Sequence, residues 1–337
     1  MIIENYSLKK LNTFGLDVKA AYFIDVKSLE YLEEQFELIR KKQFKYLVLG
    51  SGSNILFTKD YDGLVIKNSV QGIEIINETE KEIFIKTGGG VIWDNLVSFC
   101  IKNNYWGIEN LSLIPGTAGA APVQNIGAYG VELKDVFYSL DGIYLTDGKR
   151  KTFSKEESQF GYRSSIFKKE LRNKFLITNV ILRLSKLPAP KLNYRALREK
   201  FGSQEIKKIS LSEIRSIVIE IRNGKLPNPA ELGNAGSFYK NPVISNNVLK
   251  DLQKNFQDIV YFKIGDKYSK ISAGWLIEKC GLKGFRDGYV GTYPKQALII
   301  VNYGNATGKE IFEFSRMIQL KVKDKFGILL EPEVNIL

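Results

Sequence analysis

The tract Ile114–Gly130 limits what this chain can fold into more than any other segment. Its seventeen residues include four glycines, four alanines and few bulky side chains. Such a segment cannot fill a core with side chains, so its backbone must lie close against something else. A flat ligand is one solution, with Gln124 and Asn125 placed to read its edges. A close-packed buried loop is the other. A second glycine-rich segment, Val48-Leu-Gly50-Ser-Gly52-Ser-Asn54-Ile-Leu-Phe57, runs from a strand into a tight small-residue turn. Backbone N–H groups freed there can converge on one anion such as a pyrophosphate, or the segment can be a plain hairpin turn. Ile55-Leu-Phe57 reads as strand rather than helix. The turn lacks both the G-x-G-x-x-G spacing and a P-loop lysine, so neither of those phosphate sites fits.

The chemistry is bounded by what is missing. Among 337 residues there is no histidine and there are two cysteines, Cys100 and Cys280. That removes histidine acid–base catalysis, Ser-His-Asp and Cys-His pairs, His-ligated metals, a disulfide framework and a cysteine zinc site. No metal is expected. Acids and bases must then be Glu, Asp, Lys, Tyr or Ser, and demanding redox chemistry would need an organic cofactor. The net charge of +12 suits anionic partners. No long Lys/Arg block or RNA-binding aromatic motif is present, which favours small anions over nucleic acid. No apolar run is long enough to span a bilayer, and the N-terminus lacks signal-peptide features. The expectation is a cytoplasmic protein with no membrane partner.

Length favours two or three domains. Leu29, Leu32, Phe36 and Ile39 recur at helical spacing after Ser28. Tyr46–Leu49, Leu64–Ile66, Ile73–Ile76 and Ile83–Ile85 read as strands. Ile92, Leu96, Phe99 and Cys100 share one face of a second helix, which makes Cys100 a core residue. Gly142–Leu145 and the turn Asp147-Gly148 suggest a hairpin, followed by a strand over Phe175–Leu184. Leu187-Pro-Ala-Pro190 marks a domain boundary. Ser210-Leu-Ser-Glu213 resembles a capping box opening a helix to about Arg222. Asn246–Phe256, Ser272–Cys280 and Thr307–Phe326 read as helices, with Gly281 suited to a C-terminal cap. Ala297–Asn302 and Ile328–Val334 read as strands. The class is α+β. The expected domains are 1–187, in two parts split near 68, then 188–325, with 326–337 a terminal strand returning to the first.

Nine motifs in order carry a resemblance. They are Asn12-Thr-Phe-Gly15, Gly50-Ser-Gly-Ser-Asn54, Ile114-Pro-Gly116, Gln124-Asn-Ile-Gly-Ala-Tyr-Gly130 and Gly161-Tyr-Arg163-Ser-Ser-Ile-Phe167. Gly224-Lys225-Leu-Pro227, Gly233-Asn-Ala-Gly-Ser237-Phe-Tyr-Lys-Asn-Pro242, Ala273-Gly-Trp-Leu-Ile277 and Leu330-Glu-Pro-Glu-Val334 complete the set. Together they resemble the UDP-N-acetylenolpyruvoylglucosamine reductase family, also called UDP-N-acetylmuramate dehydrogenases, in its type I branch. That family has an FAD-binding domain of the vanillyl-alcohol-oxidase/p-cresol-methylhydroxylase type. It uses NADPH to reduce the enolpyruvyl ether of UDP-N-acetylglucosamine to a lactyl ether, a step towards peptidoglycan.

The resemblance implies a set of site residues. FAD would be held without a covalent link by Gly50, Ser51, Gly52, Ser53, Asn54, Pro115, Gly116, Gly119, Gln124, Asn125, Ile126, Gly127, Tyr129 and Arg163. A histidine tether, as in many flavin oxidases of this fold, is impossible here. Arg163 would stabilise negative charge on the substrate, because a guanidinium forks onto a carboxylate and stays cationic. Ser237 would give a proton to the enolate carbon, and Glu333 would be the catalytic glutamate. Strand alternation puts Glu331 and Glu333 on one face, so the choice between them comes from the resemblance. Tyr194, Lys225, Asn241, Lys283 and Gln296 would hold the nucleotide. Asn335 stands where some relatives carry arginine. A monomer is expected. A flavin oxidase of the same fold and a basic nucleic-acid-binding protein are the competing readings.

Overall fold

The structure is a computed structural model that describes residues 1–41, 44–202, 205 and 209–337. The chain divides into two compact units. The first comprises Met1–Tyr6, Ala20–Gly52 and Tyr61–Arg222, and the second Ser7–Lys19, Ser53–Asp60 and Asn223–Leu337. Helices and sheets are mixed in both, so the α+β class holds.

In the first unit, the strands Lys19–Val26 and Tyr46–Leu49 both pair in parallel with Tyr61–Asn68, which lies between them. Helix α1 (Leu29–Lys41) lies in the chain between Lys19–Val26 and Tyr46–Leu49, the two strands that flank Tyr61–Asn68. Leu32, Phe36 and Ile39 come round to one face every three or four residues and pack with Ile24, Val26, Leu64 and Ile66. A five-stranded antiparallel sheet follows, in the order Arg150–Ser154, Phe137–Tyr144, Phe175–Ser185, Glu82–Gly88, Ile73–Glu78. Its hairpin pairs Ile143 with Arg150 across the expected turn. Helix α2 (Trp93–Lys102) buries Trp93, Leu96, Val97 and Cys100 against this sheet's core. Burial pushes the Cys100 thiol up, out of the reactive range, as expected of a core cysteine.

Helices α3 (Arg195–Phe201) and α4 (Leu211–Lys225) form a third core with Trp106 and Leu192. Ser210 and Glu213 make the reciprocal hydrogen bonds of a capping box, 2.8 Å and 3.3 Å long, at the start of α4. Leu211, Ile214 and Val218 are then buried at helical spacing, each stabilising the fold by about 1.5–3 kcal/mol. The compact units therefore change over at Arg222 and Asn223, whereas the proline-rich stretch had suggested residues 187 and 188. Prolines at 188 and 190 interrupt secondary structure without separating cores, because Leu192 and Leu197 still pack with Trp106.

The second unit holds two antiparallel sheets. One runs Gly233–Ser237, Gln296–Asn302, Val290–Tyr293, Arg286–Asp287, and the other Val243–Ser245, Tyr268–Ile271, Tyr261–Ile264. Helices α5 (Asn246–Asn255), α6 (Ala273–Lys279) and α7 (Gly308–Phe326) are each capped by a hydroxyl, from Ser245, Ser272 and Thr307. Gly281 adopts φ 74° just past α6, and its N–H bonds the Glu278 carbonyl at 2.9 Å. The strand expected over Ile328–Val334 does not form. Only Pro332 makes an isolated bridge, to Tyr239, and the terminal strand is Asn335–Ile336, parallel to Ile55–Leu56. Pro332 cannot donate a ladder hydrogen bond, which explains the interruption.

Gly308 is the first residue of α7, where alanine would ordinarily be the better helix former. A Cβ there would lie 1.7 Å from the Phe57 carbonyl oxygen. Gly308→Ala should therefore lower stability by about 1–3 kcal/mol, read as an earlier urea midpoint. An unchanged midpoint would show that this backbone contact can relax.

Candidate functional site

The first unit carries the small-residue tract. Gly119 donates its N–H to the Gly89 carbonyl at 2.8 Å, and a Cβ on Gly119 would lie 2.9 Å from the Gly89 Cα. A Cβ on Gly50 would meet Thr117 Oγ1 at 2.7 Å. Gly116, at φ 139°, accepts from the Trp93 N–H and so ties the tract to α2. After the short turn Pro122–Gln124, Asn125 takes a left-handed φ of 45° and is fully buried. Its side chain is engaged by the protein: Nδ2 donates to Glu132 and to the Gly161 carbonyl, and Oδ1 accepts from the Lys134 N–H. The Asn125 side chain is therefore engaged by the protein itself, contrary to the expectation that it reads a ligand's edge. The sequence reading also passed over Gly88-Gly89-Gly90. Added Cβ atoms there would meet neighbouring backbone at 2.5, 2.4 and 2.5 Å, and the three consecutive glycines were the available signal.

Arg163 sits in a tight turn in which Gly161 and Ser164 exchange backbone hydrogen bonds of 2.9 and 3.3 Å. Its φ is 53°, a left-handed conformation unusual for arginine, and its Nη2 donates to the Gly127 carbonyl at 2.8 Å. Backbone strain of this kind concentrates at working residues. Tyr129, at φ 49°, meets Tyr194 edge to face with ring centres 5.3 Å apart. Burial raises the phenol pKa of both tyrosines. The Arg222 guanidinium donates to the Tyr129 hydroxyl and partly offsets that rise. Burial alone would raise the Asp94 carboxyl, but Arg215, bonded to both its oxygens at 2.8 and 2.7 Å, holds it low.

The second unit carries the other group of candidate side chains. Ser237 ends its strand opposite Ile299, directly after Gly236 at φ 68°. Phe238 accepts the Glu333 N–H at 2.8 Å, so Ser237 and Glu333 are brought to adjacent backbone. Asn54 Nδ2 donates to the Glu333 carbonyl at 3.3 Å, and Asn335 in turn donates to the Asn54 carbonyl from its N–H and side chain. Ser53 belongs to the same turn. Glu331 forms an ion pair with Lys240. Asn241 Oδ1 accepts the Ala273 N–H and steadies the start of α6. Lys283 pairs with Glu278 at 3.0 Å, Lys225 is exposed at the end of α4, and Gln296 Oε1 sits close against Gly274. No cluster able to hold a metal occurs among the described residues.

The first unit fits a flavin on its own geometry. Ser51 Oγ and Thr117 Oγ1 are buried with no hydrogen-bond partner, an arrangement that costs stability unless a ligand group answers it. They accompany glycines that leave no room for a Cβ.

Comparison with known proteins agrees. A family described as "FAD binding domain" matches residues 20–154, and "UDP-N-acetylenolpyruvoylglucosamine reductase, C-terminal domain" matches 228–337. A protein of the same reductase name from Amoebophilus asiaticus is 46% identical across 99% of this chain and 98% of its own length. One from Pseudomonas aeruginosa is 42% identical across 99% and 98%. The crystal structure of the Thermus caldophilus reductase superposes over 100% of this chain and 98% of its own, with a TM-score of 0.67 at 24% identity, a likeness of fold.

Because Ser51 Oγ has no protein partner, Ser51→Ala should leave the FAD-free protein's thermal stability nearly unchanged. FAD affinity should fall by roughly fivefold to tenfold, the worth of about one hydrogen bond. Equilibrium titration with FAD reads the second effect, and a lowered melting temperature of the FAD-free protein would contradict the first.

Proposed function

The chain belongs to the UDP-N-acetylenolpyruvoylglucosamine reductase family, and from that premise we propose that it reduces the enolpyruvyl ether of UDP-N-acetylglucosamine with NADPH. The product is UDP-N-acetylmuramate. The carrying observation is likeness along nearly the whole length to reductases of that one name. The reading takes the protein to be a cytoplasmic monomer with no nucleic-acid or membrane partner. No helix of the described residues is long and apolar enough to cross a membrane.

Bound at the small-residue cradle, non-covalent FAD supplies the hydride chemistry between NADPH and the enolpyruvyl methylene carbon. In this reading Gly50, Ser51, Gly52, Ser53 and Asn54 would supply backbone N–H groups and hydroxyls to hold its diphosphate. Pro115, Gly116, Gly119, Gln124, Asn125, Ile126, Gly127, Tyr129 and Arg163 would hold the rest of it. Arg163 takes the substrate carboxylate and stabilises the charge that develops as the neighbouring carbon becomes enolate-like. Ser237 donates its hydroxyl proton to that carbon. A serine is a weak acid, but an enolate carbon is a strong base, and a nearby cation stabilises the alkoxide left behind. Glu333 serves as the second acid–base group. The choice of Glu333 over Glu331 rests on the family resemblance. Tyr194, Lys225, Asn241, Lys283 and Gln296 hold the nucleotide. The Lys283–Glu278 pair is exposed and weak, so a diphosphate displaces Glu278 at little cost.

The reaction is tested anaerobically. NADPH should bleach the flavin, and the enolpyruvyl nucleotide should restore its colour. A flavin that stays reduced would refute the substrate assignment. Ser237→Ala should reduce at the wild-type rate and reoxidise about 10²–10⁴-fold more slowly. Equal slowing of both half-reactions in stopped-flow traces would make Ser237 structural.

A further inference from the structure

Asp94 has no part in the chemistry above. It lies in the first turn of α2, and the start of that helix holds the entry to the small-residue tract at several points. Trp93 Nε1 donates to the Leu111 carbonyl at 2.9 Å, and the Trp93 N–H donates to the Gly116 carbonyl at 3.1 Å. The Val91 carbonyl accepts the Ala118 N–H at 2.8 Å. Between these points Leu113 takes a left-handed φ of 58°. That conformation suits glycine, and a leucine keeps it only where the surroundings hold it. The contact made there is with Asp94, whose Oδ1 accepts the Leu113 N–H at 2.6 Å.

The carboxylate is itself fixed. Arg215, from the second turn of α4, bonds both its oxygens at 2.8 and 2.7 Å, and both side chains are mostly buried. Burial opposes charge on Asp94, but Arg215 and the Leu113 N–H hold the carboxyl below its usual range, so it remains an acceptor at neutral pH. A two-pronged contact of this kind sets the orientation of the carboxylate as well as its charge. From Leu113 the chain runs directly through Pro115 and Gly116 to Thr117, whose buried hydroxyl has no protein partner. A shift of the Leu113 turn would therefore move the groups that line the cradle.

We propose that Asp94 is a positioning residue for the flavin cradle: fixed by Arg215, it holds Leu113 in its left-handed turn and so sets Pro115, Gly116 and Thr117 for FAD. That FAD is the ligand rests on the family reading; the held turn does not. Loss of the carboxylate should weaken FAD binding by about tenfold to a hundredfold, as for one hydrogen bond to a charged group.

The test is equilibrium titration of the FAD-free protein with FAD, alongside its melting temperature. Asp94→Ala should bind FAD about tenfold to a hundredfold more weakly and melt earlier. Adding Leu113→Gly should restore most of the affinity, because glycine adopts the left-handed turn without being held. The melting temperature should stay low, since the ion pair with Arg215 is still missing. Leu113→Gly alone gives the reference from which the coupling of the two positions is read. Should Asp94→Ala not fold, Asp94→Ala/Arg215→Met leaves no unpaired cation and carries the same comparison, with and without Leu113→Gly. A folded protein lacking Asp94 that binds FAD as tightly as wild type would overturn the proposal. So would a loss of affinity that Leu113→Gly leaves unchanged, which would make Asp94 a support of the fold alone. Wild-type protein that binds no FAD would refute the flavin reading, and with it any role of Asp94 towards a flavin.

Discussion

Backbone packed directly on backbone at Gly89 holds the first unit together. Gly89 directly follows the strand Glu82–Gly88 of the antiparallel sheet, and a Cβ on it would strike both the Ile177 carbonyl at 2.4 Å and Asn68 Nδ2 at 2.5 Å. Asn68 ends the central strand of the parallel sheet and donates to the same Ile177 carbonyl at 2.7 Å. Gly119 closes on the other side. Two sheets and the small-residue tract thus meet at a point where any side chain would force them apart. This close approach carries Gly50, Ser51 and Thr117 into a common cradle and leaves hydroxyls facing what the protein itself does not satisfy.

The second unit places its candidate catalytic groups by irregular backbone. Ser237 follows a left-handed glycine, and Glu333 lies in a stretch that pairs through a single bridge rather than a ladder. The Phe238 carbonyl and the Asn54 side chain hold the Glu333 backbone from two sides. A regular strand would present Glu331 and Glu333 alike. The interruption at Pro332 breaks that regularity, and Glu331 pairs with Lys240.

Electrostatics in the first unit follow from which arginine has a carboxylate. Arg215 is matched to Asp94 and acts as structure. Arg163 donates to the Gly127 carbonyl, and Arg222 to the Tyr129 phenol. In a chain with no histidine, no imidazole titrates near neutral pH, and the guanidinium charges stay fixed.

Local chemistry made most elements legible in the sequence. The capping box at Ser210, the helix beginning at Thr307, the apolar run Ile83–Ile85, the 3.6-residue spacing of Leu29, Leu32, Phe36 and Ile39, and the core position of Cys100 depend on near neighbours in the chain, and all appear as expected. The absence of histidine bounded the chemistry without any structure. What depended on distant contacts was not legible. The proline-rich stretch near 188 looked like a boundary, but Trp106 holds α3 and α4 in the first unit's cores. Ile328–Val334 looked like a strand, yet no ladder forms there. Asn125 looked free to read a ligand until its side chain proved bonded to Glu132, Gly161 and Lys134. Arg222 looked like any helical arginine. Its setting is decided by Tyr129, far earlier in the chain, and by a competing arginine that takes the nearby acid. Sequence fixes what a residue can do with its neighbours along the chain, and only the packed fold decides which distant partners remain to be shared.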